Sequence, residues 1–196
     1  MRETPVPHYT VREYETELAR RRSGNTGLNL AKRIVITLVT VAAAAVLVAY
    51  LWFPVMSVNG TSMEPVFNDG DIILAVRDVR SVKRGDIIAF YYNDRVLLKR
   101  VIALPGETVT DIDDEGNVYI DGVMLDEPYL SRGKAKGICD VTFPVEVTEN
   151  SFFVMGDNRD VSVDSRSQEL RNVFFERVVG KIIFRVFPFS SFGTVK

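Results

Sequence analysis

The sequence predicts a mainly β protein with one membrane-spanning helix near its N-terminus, and three observations support this fold class. Residues 34–53 form a long, uncharged apolar run. From residue 55 onward, the apolar residues occur in short β-type runs that turn signals separate. No sustained helical period follows the apolar run. We therefore expect an N-terminal transmembrane helix followed by a β-rich domain of antiparallel sheets, with a barrel-like or sandwich-like arrangement.

The first element is the apolar run at residues 34–53, which reads IVITLVTVAAAAVLVAYLWF. A helix of this length reaches about 30 Å, which matches the hydrocarbon core of a bilayer. Tyr50 and Trp52 lie at its far end, where amphipathic rings favour the headgroup zone. A cleaved secretory signal and a buried soluble helix are the alternatives. A secretory signal has a shorter apolar region and a small-residue cleavage site, whereas this run ends in WFPVMS, so we expect an uncleaved anchor.

The charges before this anchor predict its orientation. The basic residues there are Arg20, Arg21, Arg22, Lys32 and Arg33. Such a bias keeps the N-terminus in the cytoplasm. We therefore expect a single-pass protein of the cytoplasmic membrane. Residues 1–33 form a short cytosolic tail, partly helical around 14–22, residues 34–53 form the anchor, and residues 54–196 form an extracytoplasmic domain.

The β-type runs after the anchor are IILAV at 72–76, DIIAFYY at 86–92 and VLLKRVIAL at 96–104. Between and after them, Gly, Pro, Asn and Asp supply the backbone conformations that let strands reverse, at residues 83–85, 105–106, 114–117 and 121–122. Residues 108–123, which contain the turn sequence DEGN, predict a β-hairpin.

The composition excludes several function classes. A formal net charge of −2 gives no general attraction to nucleic acid. The chain has one cysteine, Cys139, and one histidine, His8, so it can build neither an internal disulfide framework nor a structural zinc site. We expect no cofactor and no bound metal.

The scarcity of histidine also restricts the catalytic base. His8 lies on the cytoplasmic side of the predicted anchor, so a Ser-His-Asp or Cys-His site is excluded in the outer domain. A lysine whose pKa is lowered by burial is the usual alternative base. In a strand over 96–104, alternation places Lys99 on one face with Leu97, Val101 and Ala103, and no acidic residue lies in this run. Considered by itself, Lys99 has a second interpretation as a solvated lysine that protects a sheet edge.

Ser62 is the candidate nucleophile for such a base. It lies in GTSMEPVF directly after the anchor, where Gly60 permits a tight backbone and Pro65 restricts the chain that follows. A strained turn of this kind presents a hydroxyl to solvent. An ordinary turn serine that bonds to the backbone is the alternative.

A dense polar run at residues 156–166 follows the apolar stretch SFFVM. A calcium loop is excluded, because the sixth position from Asp157 is Ser162 rather than glycine and the twelfth is Gln168 rather than glutamate. An Asx-rich loop is the simplest interpretation. Alternatively, charged residues of the run brace a catalytic site from behind, with the Ser162 hydroxyl orienting the lysine amine; these residues are Asp157, Arg159, Asp164 and Arg166.

Taken together, these segments resemble the type I signal peptidases, which are membrane-bound Ser-Lys endopeptidases that remove signal peptides from exported proteins. The resemblance covers the anchor and nearly all of the outer domain. It is carried, in this order, by GTSMEPVF at 60–67, RGDIIAFY at 84–91, LLKRVIALPGE at 97–107 and GDNRDVSVDSR at 156–166. Members with one anchor and a short outer domain are typical of Gram-positive-type bacteria.

The resemblance implies a role for each matching residue. Ser62 is the nucleophile, Lys99 the general base, and Ser162 a hydrogen-bond partner of that lysine, while Asp164 and Arg166 form a supporting salt bridge. The backbone N–H of Ser62 contributes to the oxyanion hole. Some members carry a second donor, a serine hydroxyl, two positions earlier, where this chain has Gly60.

The resemblance also implies the substrate, which is a secretory preprotein cut after small residues of the Ala-x-Ala type. The candidates for the substrate pocket flank the two catalytic residues in sequence: Val58, Met63, Phe67, Leu97 and Leu98. Phe67 stands where the family usually has leucine, and it is expected to narrow or reshape the pocket. The expected partners are preproteins and the phospholipid membrane.

Three alternatives share part of this pattern. A Ser-Lys autoprotease of the repressor-cleaving class is soluble, which the anchor argues against. A membrane sortase needs a histidine beside its cysteine, and we expect Cys139 to be an incidental loop thiol. The third is an anchored binding or assembly domain that keeps the peptidase fold without turnover.

Overall fold

The computed structural model of the protein describes residues 10–195, and of residues 21–26 it describes only the backbone. His8, on which the exclusion of a histidine base depends, lies outside the described residues. The side chains of Arg21 and Arg22, which contribute to the predicted orientation of the anchor, lie outside them as well.

The N-terminal element is a single α-helix, α1, over Val11–Trp52. Thr10 and Glu13 begin it with a capping contact, because the backbone N–H and the hydroxyl of Thr10 both donate to Glu13 Oε2, at 2.9 and 2.8 Å. The helix ends two residues before Pro54, which disfavours helical backbone in the residue before it. Its section Gly27–Trp52 is long and apolar enough to cross a membrane, by length and composition. The boundaries of tail, anchor and outer domain stay predictions.

The helix up to Ala49 and the part of the chain from Tyr50 onward are separate compact units. Within the described residues, the second unit contains twelve strands: β1 (Val55–Ser57), β2 (Ile72–Val76), β3 (Ile87–Tyr92), β4 (Arg95–Ala103), β5 (Thr108–Ile112), β6 (Val118–Ile120), β7 (Val123–Met124), β8 (Val145–Glu146), β9 (Ser151–Met155), β10 (Val173–Phe174), β11 (Val178–Phe187) and β12 (Gly193–Thr194). Short 3₁₀-helices span Val79–Ser81, Phe175–Arg177 and Phe189–Ser191.

These strands form two antiparallel sheets. The larger sheet has eight strands in the order β1-β2-β11-β3-β4-β9-β10, with β12 also paired to β11. The smaller sheet has the order β7-β6-β5-β8. The prediction of a mainly β fold with antiparallel sheets after an N-terminal apolar helix is confirmed.

The hairpin predicted at residues 108–123 is also confirmed. Strands β5 and β6 pair with Ile112 opposite Val118. The turn between them is closed by Asp113, whose carboxylate accepts from the backbone N–H of Asn117 at 2.7 Å and from the side-chain amide of the same residue at 2.9 Å. The Asp-rich sequence therefore forms the turn because a carboxylate caps its backbone donors.

Strand β4 lies inside the larger sheet, between β3 and β9, and every residue from 98 to 103 is buried. The interpretation of Lys99 as an edge-protecting lysine is therefore wrong, because the lysine lies opposite Ile88 on an internal strand. The expectation that Ala103 shares a face with Val101 is also wrong. The pairing of β4 with β9 shifts register between these two residues, so Ala103 packs into a different apolar cluster from Val101.

Three buried apolar clusters hold this unit together. One fills the space around the loop between β1 and β2, and it includes Met63, Phe67 and Leu98. A second lies where the smaller sheet meets β4 and β9, and a third lies where β3, β4 and β9 meet residues 170–178. The first cluster matters most for the site, because it fixes the loop that carries Ser62 against the strand that carries Lys99.

Candidate active site

Ser62 lies in a closed loop, residues 58–71, that connects β1 to β2. The two ends of the loop are joined by hydrogen bonds from Val58 N to Asp71 O at 2.8 Å and from Gly70 N to Val58 O at 2.9 Å. Met63 and Phe67 point inward and are buried in the first cluster. These two buried side chains follow Ser62 in the chain and hold the loop against the core. Ser62 itself lies half-buried at the surface of the domain.

Lys99 Nζ donates a hydrogen bond to Ser62 Oγ at 2.6 Å, so the structure brings the two candidate catalytic residues into direct contact. Lys99 is 2% exposed. This burial is the main reason why its pKa falls from 10.5 to about 8; the Arg166 charge lowers the pKa further, while the Asp164 and Asp157 carboxylates raise it. A lysine with this pKa has an accessible neutral form near physiological pH.

Four of the five charged residues of the polar segment, 156–166, are paired and buried, whereas Asp160 is exposed. Asp164 and Arg166 form a bidentate pair with both contacts at 2.8 Å and no side-chain exposure. Asp157 pairs with Arg100 on β4, through contacts of 2.8 and 2.6 Å. Since Arg100 follows Lys99 directly, the second pair ties the polar segment to the strand of the base.

The third pair joins Arg159 to Glu127, with both side chains almost fully buried. Glu127 also accepts from the Tyr129 hydroxyl at 2.7 Å, and the Tyr129 ring lies 4.2 Å from the Arg100 guanidinium. This contact connects the segment after β7 to the Arg100–Asp157 pair. Sequence reasoning missed both Arg100 and Glu127 as partners. The adjacency of Arg100 to Lys99 inside an apolar strand was a usable signal, whereas nothing in the local sequence marks Glu127.

Ser162 is fully buried, but its hydroxyl does not orient the lysine in this structure. Its Oγ makes no hydrogen bond to any residue of the described range 10–195, and Lys99 Nζ donates to Ser62 instead. The expected Ser162–Lys99 hydrogen bond is therefore wrong for this state. Ser162 packs over Gly156, where an added Cβ would lie 2.2 Å from Ser162 Oγ and 2.6 Å from Ser62 O. Only glycine fits at this position.

Asn158 joins the polar segment to residues 58–71, the nucleophile loop, by two hydrogen bonds. Its backbone N–H donates to Ser62 O at 3.0 Å, and its side-chain Nδ2 donates to Thr61 O at 3.1 Å. Asn158 is 8% exposed. Sequence reasoning did not single it out, because an asparagine in a polar run normally indicates a turn.

Gly60 contributes its conformation rather than a donor to the site. Its φ of +93° is in the region that favours glycine. Its N–H donates to Asp69 Oδ1 at 2.7 Å, so this amide is already occupied. By contrast, the N–H of Ser62 makes no hydrogen bond within the described part of the chain.

The five candidates for the substrate pocket have little free surface. Val58, Met63, Phe67 and Leu98 lie in the first apolar cluster, and Leu97 packs against the third. Phe67 has no exposed surface, and its ring is covered by the Arg185 guanidinium at 4.9 Å. Phe67 does not narrow the pocket directly, because its side chain points into the core, while the expectation that it reshapes the pocket stays a prediction. For the other four residues, a role in the pocket stays a prediction.

Cys139 is half-buried, and this burial raises the pKa of its thiol, although Arg166 and Lys136 act in the opposite direction. The thiolate form is therefore disfavoured. No group of His, Cys, Asp and Glu side chains with the geometry of a metal site is found among the residues that the structure describes.

Comparison with known proteins gives concordant results. The family model described as signal peptidase, peptidase S26, matches residues 30–187. A signal peptidase I of Bacillus licheniformis is 35% identical over 89% of this chain and 97% of its own length. The signal peptidase I T of Bacillus subtilis is 35% identical over 92% of this chain and 96% of its own length. A crystal structure of a signal peptidase I from Enterococcus faecalis is 36% identical, has a TM-score of 0.44, and covers 53% of this chain and 98% of that one.

Proposed function

Because the chain belongs to the signal peptidase family, peptidase S26, and is a serine endopeptidase of the type I signal peptidase kind, we propose that Ser62 and Lys99 cleave signal peptides from preproteins. The observation that carries this proposal is the 2.6 Å contact between Lys99 Nζ and Ser62 Oγ. No histidine lies within residues 10–195, so lysine is the base that this contact offers.

Neutral Lys99 takes the proton of Ser62 Oγ while this oxygen attacks the scissile carbonyl carbon. The resulting ammonium then gives the proton to the leaving amine, and the signal peptide remains bound to Ser62 as an ester. Water, deprotonated by Lys99, hydrolyses the ester. At pH 7, a pKa of about 8 leaves about one lysine in ten neutral, compared with about one in 3,000 for a pKa of 10.5. Burial therefore increases the supply of base several-hundred-fold.

The residues behind the pair hold it in position. The Asp164–Arg166 pair is directly connected to Gly156, the residue that follows β9, because Asp164 Oδ2 accepts from Gly156 N at 2.9 Å. We assign the supporting role to these two residues and to Ser162, Asp157 and Arg159, whose burial fixes the polar segment against the nucleophile loop.

The proposed substrate is a preprotein with small residues at the first and third positions before the cut, as in Ala-x-Ala. Support comes from the family relationship. The proposal also includes the anchoring of the chain by residues 34–53, with the tail 1–33 in the cytoplasm and residues 54–196 outside. This topology rests on the apolar length of the helix and on the basic residues that precede it.

The test is cleavage of a preprotein by the full chain in detergent. Wild type, Ser62→Ala and Lys99→Ala are compared with two control variants at exposed positions, Ser57→Ala and Lys83→Ala. We expect the first two substitutions to reduce cleavage by at least about 10³-fold, and the controls to keep wild-type rates. Replacing the last residue of the signal peptide by phenylalanine is expected to abolish cleavage. Normal processing by Ser62→Ala or Lys99→Ala would refute the catalytic pair.

The topology is tested separately in intact cells. The single cysteine permits a clean design, in which exposed Ser131 is replaced by cysteine in a Cys139→Ser background. A membrane-impermeant maleimide is expected to label this residue before lysis. Labelling only after lysis would place the domain in the cytoplasm and refute the proposed orientation.

A further inference from the structure

Asn158 holds two consecutive carbonyl groups of the nucleophile loop. Its side-chain Nδ2 donates to Thr61 O at 3.1 Å, and its backbone N–H donates to Ser62 O at 3.0 Å. The proton transfer between Ser62 and Lys99 gives these two bonds no chemical role. They lie on the peptide groups on either side of the Ser62 Cα, and their donor is 92% shielded from solvent, since Asn158 is 8% exposed.

Thr61 O accepts from Asn158 Nδ2 at 3.1 Å and from Glu64 N, within the loop, at 3.2 Å, so Asn158 is the donor that reaches it from the polar segment. These bonds fix the direction of the Ser62 N–H. Thr61 C=O and Ser62 N–H belong to one planar peptide group, and this peptide is trans. In a trans peptide the C=O and N–H vectors are antiparallel. Because Thr61 O points at Asn158, the Ser62 N–H must point away from it, and it is left without a partner inside the described part of the chain.

This direction matters because the loop offers few other donors. The Gly60 N–H is occupied by Asp69 Oδ1 at 2.7 Å, and Gly60 has no side chain to contribute. An oxyanion is stabilised only by donors that are already aimed at the position where its charge develops. The Ser62 N–H is therefore the donor whose orientation the protein has to fix.

Asn158 is itself held rigidly. Its carbonyl oxygen accepts from Ser162 N at 3.1 Å, and the preceding residue, Asp157, is locked by the buried bidentate pair with Arg100. Arg100 follows Lys99 on β4. The strand that supplies the base is thus connected through two residues to the peptide that carries the Ser62 N–H.

We propose that Asn158 is a positioning residue that orients the Ser62 amide as the oxyanion donor, by holding the carbonyl group of the same peptide. The inference rests on the proposed function. In this proposal Asn158 contributes to the stabilisation of the transition state. It contributes neither to substrate binding nor to the protonation of Lys99.

The test uses the full chain with Asn158→Ala and Asn158→Asp. The aspartate keeps the size of the side chain and the backbone bond to Ser62 O, but it has no donor for Thr61 O and places a carboxylate oxygen opposite that carbonyl. The matched control is Asn172→Ala, because Asn172 Nδ2 also donates to a backbone carbonyl, that of Glu146, at 2.8 Å. This control is remote in sequence from the nucleophile loop and makes no contact with it in the hydrogen-bond network.

Three readouts separate a positioning role from a merely structural one. Per active site counted by a first-turnover burst, we expect kcat to fall about 10- to 100-fold in both Asn158 variants with KM changed less than about twofold. The affinity for a peptide boronic acid, whose anionic tetrahedral adduct imitates the intermediate, is expected to fall by the same factor. In Asn158→Ala, which adds no charge beside Lys99, the pH midpoint of kcat/KM is expected to stay at its wild-type value. Asn172→Ala is expected to match wild type in all three.

A wild-type kcat per active site in Asn158→Ala, or a lower kcat with unchanged affinity for the boronic acid, would overturn the proposal. A shifted pH midpoint in Asn158→Ala would also overturn it, because Asn158 would then act through Lys99. The proposed function has a separate test: the proposed function fails if Ser62→Ala remains active, whatever the Asn158 variants do.

Discussion

Replacing Lys99 by methionine is expected to stabilise the folded domain while abolishing its activity. Methionine is an unbranched side chain of similar length without a charge, so it fills the space of the lysine among the same apolar neighbours. The lysine is 2% exposed, and burial is the largest cause of the fall in its pKa from 10.5 to about 8. A fall of about 2.5 pH units corresponds to about 3.4 kcal/mol between the charged and neutral forms.

The sign of this effect follows from proton binding. Between pH 8 and pH 10.5 the unfolded chain carries the Lys99 proton and the folded chain has lost it, so the free energy of unfolding rises with pH across this window. Below pH 8 both states are protonated, and the folded state bears the whole cost of a buried charge. We therefore expect the free energy of unfolding of Lys99→Met to exceed that of wild type by up to about 3 kcal/mol at pH 7. This difference is expected to disappear near pH 10.5.

The assay is urea unfolding of the full chain in detergent, followed by circular dichroism at pH 7, 8.5 and 10. Exposed Lys83→Met is the matched control, and it is expected to change the free energy of unfolding by less than about 0.5 kcal/mol at each pH. A Lys99→Met variant that is less stable than wild type at pH 7 would refute the reasoning. The same holds for a stability difference that does not vary with pH.

Three further predictions concern the surroundings of the pair. Gly156→Ala is expected to abolish cleavage, since its Cβ would lie 2.6 Å from the backbone oxygen of the nucleophile, and normal cleavage would contradict this packing. Glu127→Gln leaves the buried Arg159 charge without its partner, so it is expected to lower the free energy of unfolding in urea by about 3 to 5 kcal/mol. Arg132→Ala removes an ion pair in which the arginine is 52% exposed, and it is expected to lower the same quantity by less than about 1 kcal/mol. Equal losses would refute the argument from burial. Cys139→Ser is expected to cleave preprotein at the wild-type rate, and rapid alkylation of Cys139 at pH 7 would contradict its raised pKa.

The sequence predicted those secondary-structure elements that depend on residues close together in the chain. The run IILAV coincides with β2, and the Asp-rich turn between β5 and β6 closes through the carboxylate of Asp113. The membrane-spanning candidate follows from apolar length alone, although the helix begins at Val11, well before the predicted anchor. These features depend on residues that are near neighbours in the chain.

The candidate site was predictable only where its residues carry a distinctive type. Lys99 was identifiable because an amine in an apolar strand is costly. Glu127 and Asn158 were not, since their roles arise from contacts with Arg159 and with the nucleophile loop, far away in sequence. The inward direction of Phe67 was also hidden, because it depends on how the loop closes over the core.

The central claim is that Lys99, whose burial lowers its pKa to about 8, is the base for Ser62. Its most direct test is the pH dependence of kcat/KM for preprotein cleavage by wild type between pH 6 and 10, which reports the pKa of the essential base in the free enzyme. We expect kcat/KM to rise about tenfold per pH unit below a single midpoint at about 8 and to level off above it. A flat profile, or a rise that continues to a midpoint near 10.5, would contradict the claim.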